Sequence, residues 1–170
     1  MNKFILSFLF SITGFICCAQ LNYSSRLEIG YLPYLSQTIK VEPGPTWKGY
    51  ELDNKQNGLQ ISAINGINIK ERLFVGVGVS YLNYEGINGY SFFGDIKFLT
   101  SKKRLSPLLN FRAGDSKLNN QYENGSKSGT VEFAAGINYK MTSRFNIYAK
   151  AGFMFAHGAT FSPIRIGVGI

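Results

Sequence analysis

The chain has 170 residues, a length that suits one domain, and 45% of them are hydrophobic while only 16% are charged. A water-soluble surface usually carries roughly 25–35% charged residues, so this composition is poor in charge for a soluble protein. The apolar content argues against disorder, and a helical membrane bundle is excluded because only the first twenty residues hold a long apolar run. The formal net charge is +8.

The first nineteen residues predict a cleaved export signal. A basic start at Lys3 precedes an apolar run over residues 4–18, and small residues stand before a cut after Ala19. A retained membrane anchor and a lipoprotein are the alternatives, but the run is short for a span, and neither Cys17 nor Cys18 follows a small residue. We therefore expect residues 1–19 to be removed and residues 20–170 to form one domain without cysteine, disulfide or thiol chemistry.

Period-two alternation of apolar and polar residues dominates the chain after residue 20 and predicts an all-β domain. In the third segment, for example, Val75, Val77 and Val79 alternate with smaller residues, whereas Ile64 and Asn65 break the alternation of the second segment. Each segment has about 10–12 residues, the length of a tilted strand that crosses a membrane. The eight predicted strands span residues 22–33, 58–69, 73–84, 88–100, 106–115, 129–140, 144–155 and 161–170.

The connections between the predicted strands alternate in length. Short polar turns at 70–72, 101–105 and 141–143 fall on the side that holds both chain ends, because the number of strands is even. The long loops 34–57 and 116–128 fall on the other side, together with shorter tips at 85–87 and 157–160. Such asymmetry is typical of outer-membrane barrels, in which short turns face the periplasm and long loops face the outside.

The polar face of the strands distinguishes a membrane barrel from a soluble one. A soluble lipocalin-like barrel turns its apolar face inward and a solvated face outward. Here the polar face is rich in glycine and nearly balanced in charge, which suits a narrow interior filled by paired side chains. The predicted interior holds Arg26, Lys97, Arg112, Lys150 and Arg165 with Glu28, Asp95 and Glu132, and a predicted interfacial girdle holds Tyr31, Tyr34, Tyr81, Tyr84, Tyr90 and Tyr139.

With these features the sequence resembles the small eight-stranded outer-membrane β-barrel family, the OmpX-like and OmpA-transmembrane-like barrels. The resemblance covers residues 20–170 and rests on the signal, the eight strands, the loop asymmetry and the closing strand 161–170. It implies a closed antiparallel up-and-down transmembrane β-barrel in the outer membrane, inserted there by the barrel-assembly machinery. The last strand of such barrels commonly ends in an aromatic residue, whereas this chain ends in Ile170.

The sequence predicts no catalytic, cofactor-binding or metal-binding residue. A family of eight-stranded lipid A deacylases uses a His and a Ser two positions apart, but the residue two positions after His157 is Ala159. A single His without Cys is too small a donor set for zinc or iron, and Glu28, Asp95 and Glu132 stand on different predicted strands.

The sequence therefore predicts a non-enzymatic outer-membrane protein with a structural or surface-interaction role, monomeric and without a cofactor. Its expected partners are outer-membrane lipids, the barrel-assembly machinery, and an extracellular ligand or protein at loops 34–57 and 116–128, where Trp47, Tyr50 and Tyr122 are candidate anchors. Two alternatives remain open: an outer-leaflet lipid-modifying enzyme with His157 as its base, and a soluble ligand-binding barrel.

Most of the positive charge stands on the short-turn side. The interior carries a net charge of +2 and the loops are nearly neutral. On the short-turn side, one acidic residue, Glu71, stands against seven basic residues: Lys70, Arg72, Lys102, Lys103, Arg104, Lys140 and Arg144. Such a collar suits anionic lipid headgroups. An exported chain with so short a basic run is not expected to bind nucleic acid.

Overall fold

In the computed structural model, residues 21–37, 56–119, 126–142 and 145–170 are described, and they form one closed antiparallel β-barrel. The strands are β1 (Leu21–Leu32), β2 (Tyr34–Gln37), β3 (Gly58–Ile69), β4 (Leu73–Tyr84), β5 (Ile87–Leu99), β6 (Leu105–Leu118), β7 (Ser126–Lys140), β8 (Asn146–Ala156), β9 (Ala159–Phe161) and β10 (Ile164–Gly169). Among the described residues, no helix is long and apolar enough to cross a bilayer.

Two prolines divide the eight predicted strands into ten segments. Pro33 separates β1 from β2, and Pro163 lies between β9 and β10, because proline has no N–H to donate to the ladder. Their carbonyls still accept hydrogen bonds, from the N–H of Ser162 at 2.9 Å and from that of Gly152 at 3.1 Å. The barrel closes where β1 pairs with β10 and β2 with β9, so the prediction of eight antiparallel barrel strands is confirmed.

The predicted loops are longer than the connections that the structure shows. The segment 34–57 begins with β2, and the ladder between β6 and β7 continues through the pair Ser116 and Ser128, so the loop after β6 spans only 119–125. The outward positions at the outer ends of β6 and β7 are polar, as at Asp115, Lys117 and Lys127, so an alternation with apolar residues on the outward face could not reveal these strand ends. Short turns and both described chain ends lie at one end of the barrel, called here the inner end, and the opposite end is the outer end.

Large apolar side chains cover the outside of the barrel. Ile29, Phe92 and Ile166 are each about 60% exposed, whereas the charged residues of the neighbouring positions are buried. Lipid is the environment that suits such a surface, because apolar bands of this kind face the hydrocarbon in membrane barrels. The soluble lipocalin-like alternative is therefore wrong.

One residue of the predicted girdle faces the other way, and the structure explains the break in the alternation of the second predicted strand. Tyr84 points into the lumen, because it stands three positions after the outward-facing Tyr81 and strand side chains alternate. At Ile64 and Asn65 the strand register continues without a shift, and only the polarity of the two faces is exchanged. Ile64 packs inside the barrel against Phe74 and Phe93. Asn65 faces outward and accepts a hydrogen bond from the Tyr23 hydroxyl at 2.8 Å. The other five girdle tyrosines are partly or well exposed, as predicted.

Candidate functional site in the barrel lumen

The centre of the lumen holds five charged side chains in one connected group, called here the central cluster. It consists of Arg26, Glu28, Asp95, Arg112 and Lys150, all of which are buried. Arg26 and Arg112 both pair with Asp95, and the Arg112 Nε lies 2.6 Å from Asp95 Oδ1. Arg112 and Lys150 both pair with Glu28, and the Lys150 Nζ lies 3.1 Å from Glu28 Oε1. Strands β1, β5, β6 and β8 are thereby joined across the lumen.

Neutral groups and aromatic rings add further contacts to the central cluster, although Nε and Nη1 of Arg26 and Nη1 of Arg112 are buried without a hydrogen-bond partner among the described residues. The Tyr148 hydroxyl donates to Glu28 Oε1 at 2.7 Å, and the Asn110 amide donates to Asp95 Oδ1 at 3.0 Å. The Arg26 guanidinium lies 3.6 Å from the centre of the Phe74 ring. Because buried charges are costly unless they are paired and hydrogen-bonded, these contacts are what allows the charges to stay in the lumen.

A second group, called here the outer cluster, lies on the remaining strands. Arg165 on β10 donates two hydrogen bonds to the carboxylate of Glu132 on β7, at 2.9 Å from Nε and 2.7 Å from Nη2. Its Nη2 also donates to Gln60 at 2.6 Å, and Gln60 continues through Ser80 to Ser91, with 2.6 Å at each step. Together the two clusters draw on eight of the ten strands, all except the short β2 and β9, and the interior charges predicted from the sequence are confirmed as buried.

The lumen is closed above the outer cluster. A cavity of about 20 Å³ lies beside Gln60, Arg112 and Glu132, which is room for a single water-sized molecule. Beyond it an apolar lid fills the outer end, made of Leu32, Leu82, Tyr84, Leu118, Met154, Ala156, Ala159 and Phe161. This lid was not predicted from the sequence. The inward positions become apolar at the outer strand ends, and there alternation no longer tells the two faces apart.

A histidine and a serine meet at the outer rim. His157 lies in the turn between β8 and β9, outside the membrane-spanning strands, and its Nε2 lies 2.7 Å from Ser116 Oγ. Burial lowers the pKa of His157 to about 4, so the imidazole is neutral at physiological pH. Spacing along the chain could not reveal this pair, because Ser116 stands 41 residues away on β6. Both side chains are buried, whereas a lipid-modifying site must face the lipid.

Several predicted features lie outside the described residues. They are the export signal and three candidate loop anchors, Trp47, Tyr50 and Tyr122, and all of them stay predictions. Within the described ranges, no group of three His, Cys, Asp or Glu side chains is arranged to hold a metal ion.

Two solved structures share this architecture at low sequence identity. Neisserial surface protein A is 11% identical, with a TM-score of 0.65 over 88% of this chain and 97% of that protein. The N-terminal β-barrel domain of Pseudomonas aeruginosa OprF is 12% identical, with a TM-score of 0.57 over 89% of this chain and all of that domain (100%). No family model matches the chain, and no curated protein matches it. The fold is therefore that of the small outer-membrane barrels, and the predicted outer-membrane location agrees with it.

Proposed function

We propose that this protein is a non-enzymatic barrel of the outer membrane with a structural or surface-interaction role. In that role the closed barrel supports the connections at its outer end. One observation carries the proposal: the lumen is filled from its centre to its outer end by the central cluster, the outer cluster and the apolar lid, while the outside is apolar. A barrel filled in this way offers no path for solutes, so contacts with other molecules fall to its two ends and its lipid-facing wall.

The described part of the barrel is suited to act as a rigid support for loops. The segments 38–57 and 119–125 leave from β2 and β6 at the outer end, beside the lid. We propose that Trp47 and Tyr50 in the first segment, and Tyr122 in the second, anchor an extracellular ligand or protein. Outer-membrane lipids would contact the wall, the barrel-assembly machinery would insert the chain, and the barrel would act as a monomer.

A conductance measurement tests the closed lumen. The purified barrel is inserted into a planar lipid bilayer in concentrated potassium chloride, with a wide-lumen porin as the positive control. We expect no conductance steps from this protein, because the two clusters and the apolar lid fill the described lumen from its centre to its outer end, and the cavity beside Gln60 measures only about 20 Å³. Reproducible steps from the folded protein would contradict the proposal.

Epitope tags test which end carries the contacts. A tag inserted between residues 45 and 46 should bind antibody on intact cells, whereas the same tag inserted between Lys102 and Lys103 should bind only after permeabilisation. Labelling of both variants on intact cells, or of the second alone, would reverse or abolish the proposed orientation.

The enzyme alternative rests on the Ser116–His157 contact and has a direct test. Lipid A acylation is compared in cells that express the wild type, His157→Gln or no barrel. We expect the same acylation in all three, because the histidine is buried at the rim and away from the lipid-facing surface. Deacylation that depends on His157 would replace the proposed function by an enzymatic one.

A further inference from the structure

The inner end of the barrel contains an open vestibule of about 670 Å³. This volume is within the range of about 300–1,000 Å³ that is typical of sites for small molecules. Polar side chains form much of its lining, among them Asn22, Ser24, Asn68, Lys97, Asn138 and Asn146. None of the residues that line the vestibule belongs to the central cluster, the outer cluster or the apolar lid, so the vestibule is separate from the filled part of the lumen.

A lysine to which the described residues supply no counter-ion lines this vestibule, with its side chain mostly buried in the wall. Lys97 is 5% exposed, and its Nζ lies 4.7 Å from the centre of the Tyr148 ring. Within residues 21–37, 56–119, 126–142 and 145–170, the structure gives Lys97 no side-chain hydrogen bond and no carboxylate within 4.0 Å. Asp95, two positions earlier on β5, is already bound by Arg26 and Arg112.

The central cluster cannot neutralise Lys97. It contains three cations and two carboxylates, so it carries an excess of positive charge itself. An unpaired ammonium at this depth is unfavourable, because the desolvation of a charge is offset only by a partner of opposite sign. The vestibule therefore favours an anion at the Lys97 Nζ.

Two amide side chains, those of Asn138 and Asn146, line the same vestibule. Asn138 stands opposite Tyr148 in the register of β7 and β8, and it is almost completely buried. The Oδ1 atoms of Asn138 and Asn146 are buried and have no hydrogen-bond partner. The Asn146 amide already donates to the Gly169 carbonyl at 3.3 Å. A carboxamide can turn to present its N–H groups in place of its oxygen, so the Asn138 side chain can donate to an oxygen ligand in the vestibule that Lys97 also lines.

The rim of the vestibule favours the approach of anions. The described part of the short-turn collar contributes six basic residues, and its one carboxylate, Glu71, pairs with Lys140 at 3.3 Å. Clustered charges of one sign raise the local concentration of ligands of the opposite sign.

We propose that the inner vestibule binds an oxyanion, a phosphate or carboxylate group, with the Lys97 ammonium as its counter-charge. The Asn138 amide donates a hydrogen bond to the same ligand. A phosphate group can reach the site from an anionic lipid headgroup at the rim or from a soluble periplasmic compound, and both sources present the same chemistry to Lys97.

Titration calorimetry on the folded barrel tests this site. The protein is placed in nanodiscs of zwitterionic phosphatidylcholine at low ionic strength, and inorganic phosphate and acetate are titrated separately. We expect saturable binding of at least one anion, weakened at least tenfold in Lys97→Gln and within threefold of wild type in Lys97→Arg. Lys103→Gln is the matched control, because it removes the same charge from an exposed position and should change the affinity less than twofold.

The outcomes separate the site from general attraction to a basic protein. Equal losses in Lys97→Gln and Lys103→Gln, or no saturable binding of either anion by the wild type, would overturn the proposal. Folding of each variant is checked by its heat-modifiable gel shift, and Asn138→Ala gives a second test, because it should weaken binding while Lys97 is kept. Repeating the phosphate titration in phosphatidylglycerol nanodiscs identifies the source: weaker binding indicates a competing headgroup, and unchanged binding indicates a soluble compound.

Discussion

Replacing Glu132 by glutamine should destabilise the barrel by about 3–5 kcal/mol, the range measured when one partner of a buried ion pair is removed. Both side chains of the Glu132–Arg165 pair are nearly inaccessible to solvent. Arg165 donates to the carboxylate at 2.9 and 2.7 Å. Glutamine keeps the volume and one acceptor oxygen, so the change removes the negative charge and leaves the guanidinium buried. Two charge-assisted hydrogen bonds, each contributing about 1.5–3 kcal/mol, lead to a similar magnitude.

The free energy of unfolding is measured by urea titration in lipid vesicles and followed by far-ultraviolet circular dichroism. The variants are Glu132→Gln, Arg165→Met and the double variant, which together form a mutant cycle. We expect each single variant to lose several kcal/mol and the double variant to lose much less than the sum, because it leaves no unpaired charge. Glu71→Gln is the control: its partner Lys140 lies 3.3 Å away in a well-exposed pair, so the loss should stay below about 1 kcal/mol.

Two results would refute this reasoning. A loss in Glu132→Gln no larger than in Glu71→Gln would mean that the lumen screens the charges as water does. Additive losses in the cycle would mean that Glu132 and Arg165 stabilise the barrel through separate contacts and not through each other.

Two further predictions concern the lumen wall and the outer rim. Gly167→Ala should cost about 1–3 kcal/mol in the same urea titration, because its Cβ would lie 2.4 Å from the Tyr148 ring, whereas Gly129→Ala, with nothing within 4 Å, should be close to neutral. The pKa of His157 is about 4 in the folded barrel and about 6.5 in the unfolded chain. The neutral imidazole therefore contributes fully to the free energy of unfolding above pH 6.5, and this contribution is lost as the pH falls towards 4. Between pH 7.5 and 5 the wild type should lose about 2 kcal/mol more than His157→Gln, and parallel pH profiles of the two proteins would contradict this.

The sequence predicted the barrel wall better than its contents. Alternation set which residues face inward, and the eight interior charges were identified for that reason. The same rule places Tyr84 inward once the outward position of Tyr81 is accepted, because the two positions differ by an odd number. That error came from grouping tyrosines by their distance from strand ends and not by their face.

The partners inside the lumen could not be predicted from one sequence. Glu28 and Arg112 are 84 residues apart, and they meet only because the stagger of the strands brings β1 and β6 to the same height. Ser116 and His157 meet for the same reason at the outer rim. The alternation of one strand contains no information about the height of another strand across the barrel.

The arrangement of charges also explains how this chain specifies a single strand register. A shift of one residue in a strand with interior charges (β1, β5, β6, β7, β8 or β10) would turn those charges towards lipid, where a charged side chain costs several kcal/mol, and would turn its apolar residues towards the clusters. A lumen packed with apolar residues would be as compact but would barely distinguish its two faces, since both sides of each strand would then be apolar. The ion pairs need not add net stability over such packing. Their requirement for a partner from another strand is what makes the misaligned barrels unfavourable. Among the eight interior charges, Lys97 at the inner end is the one for which the described residues supply no ion pair, and its nearest recorded contact is the Tyr148 ring.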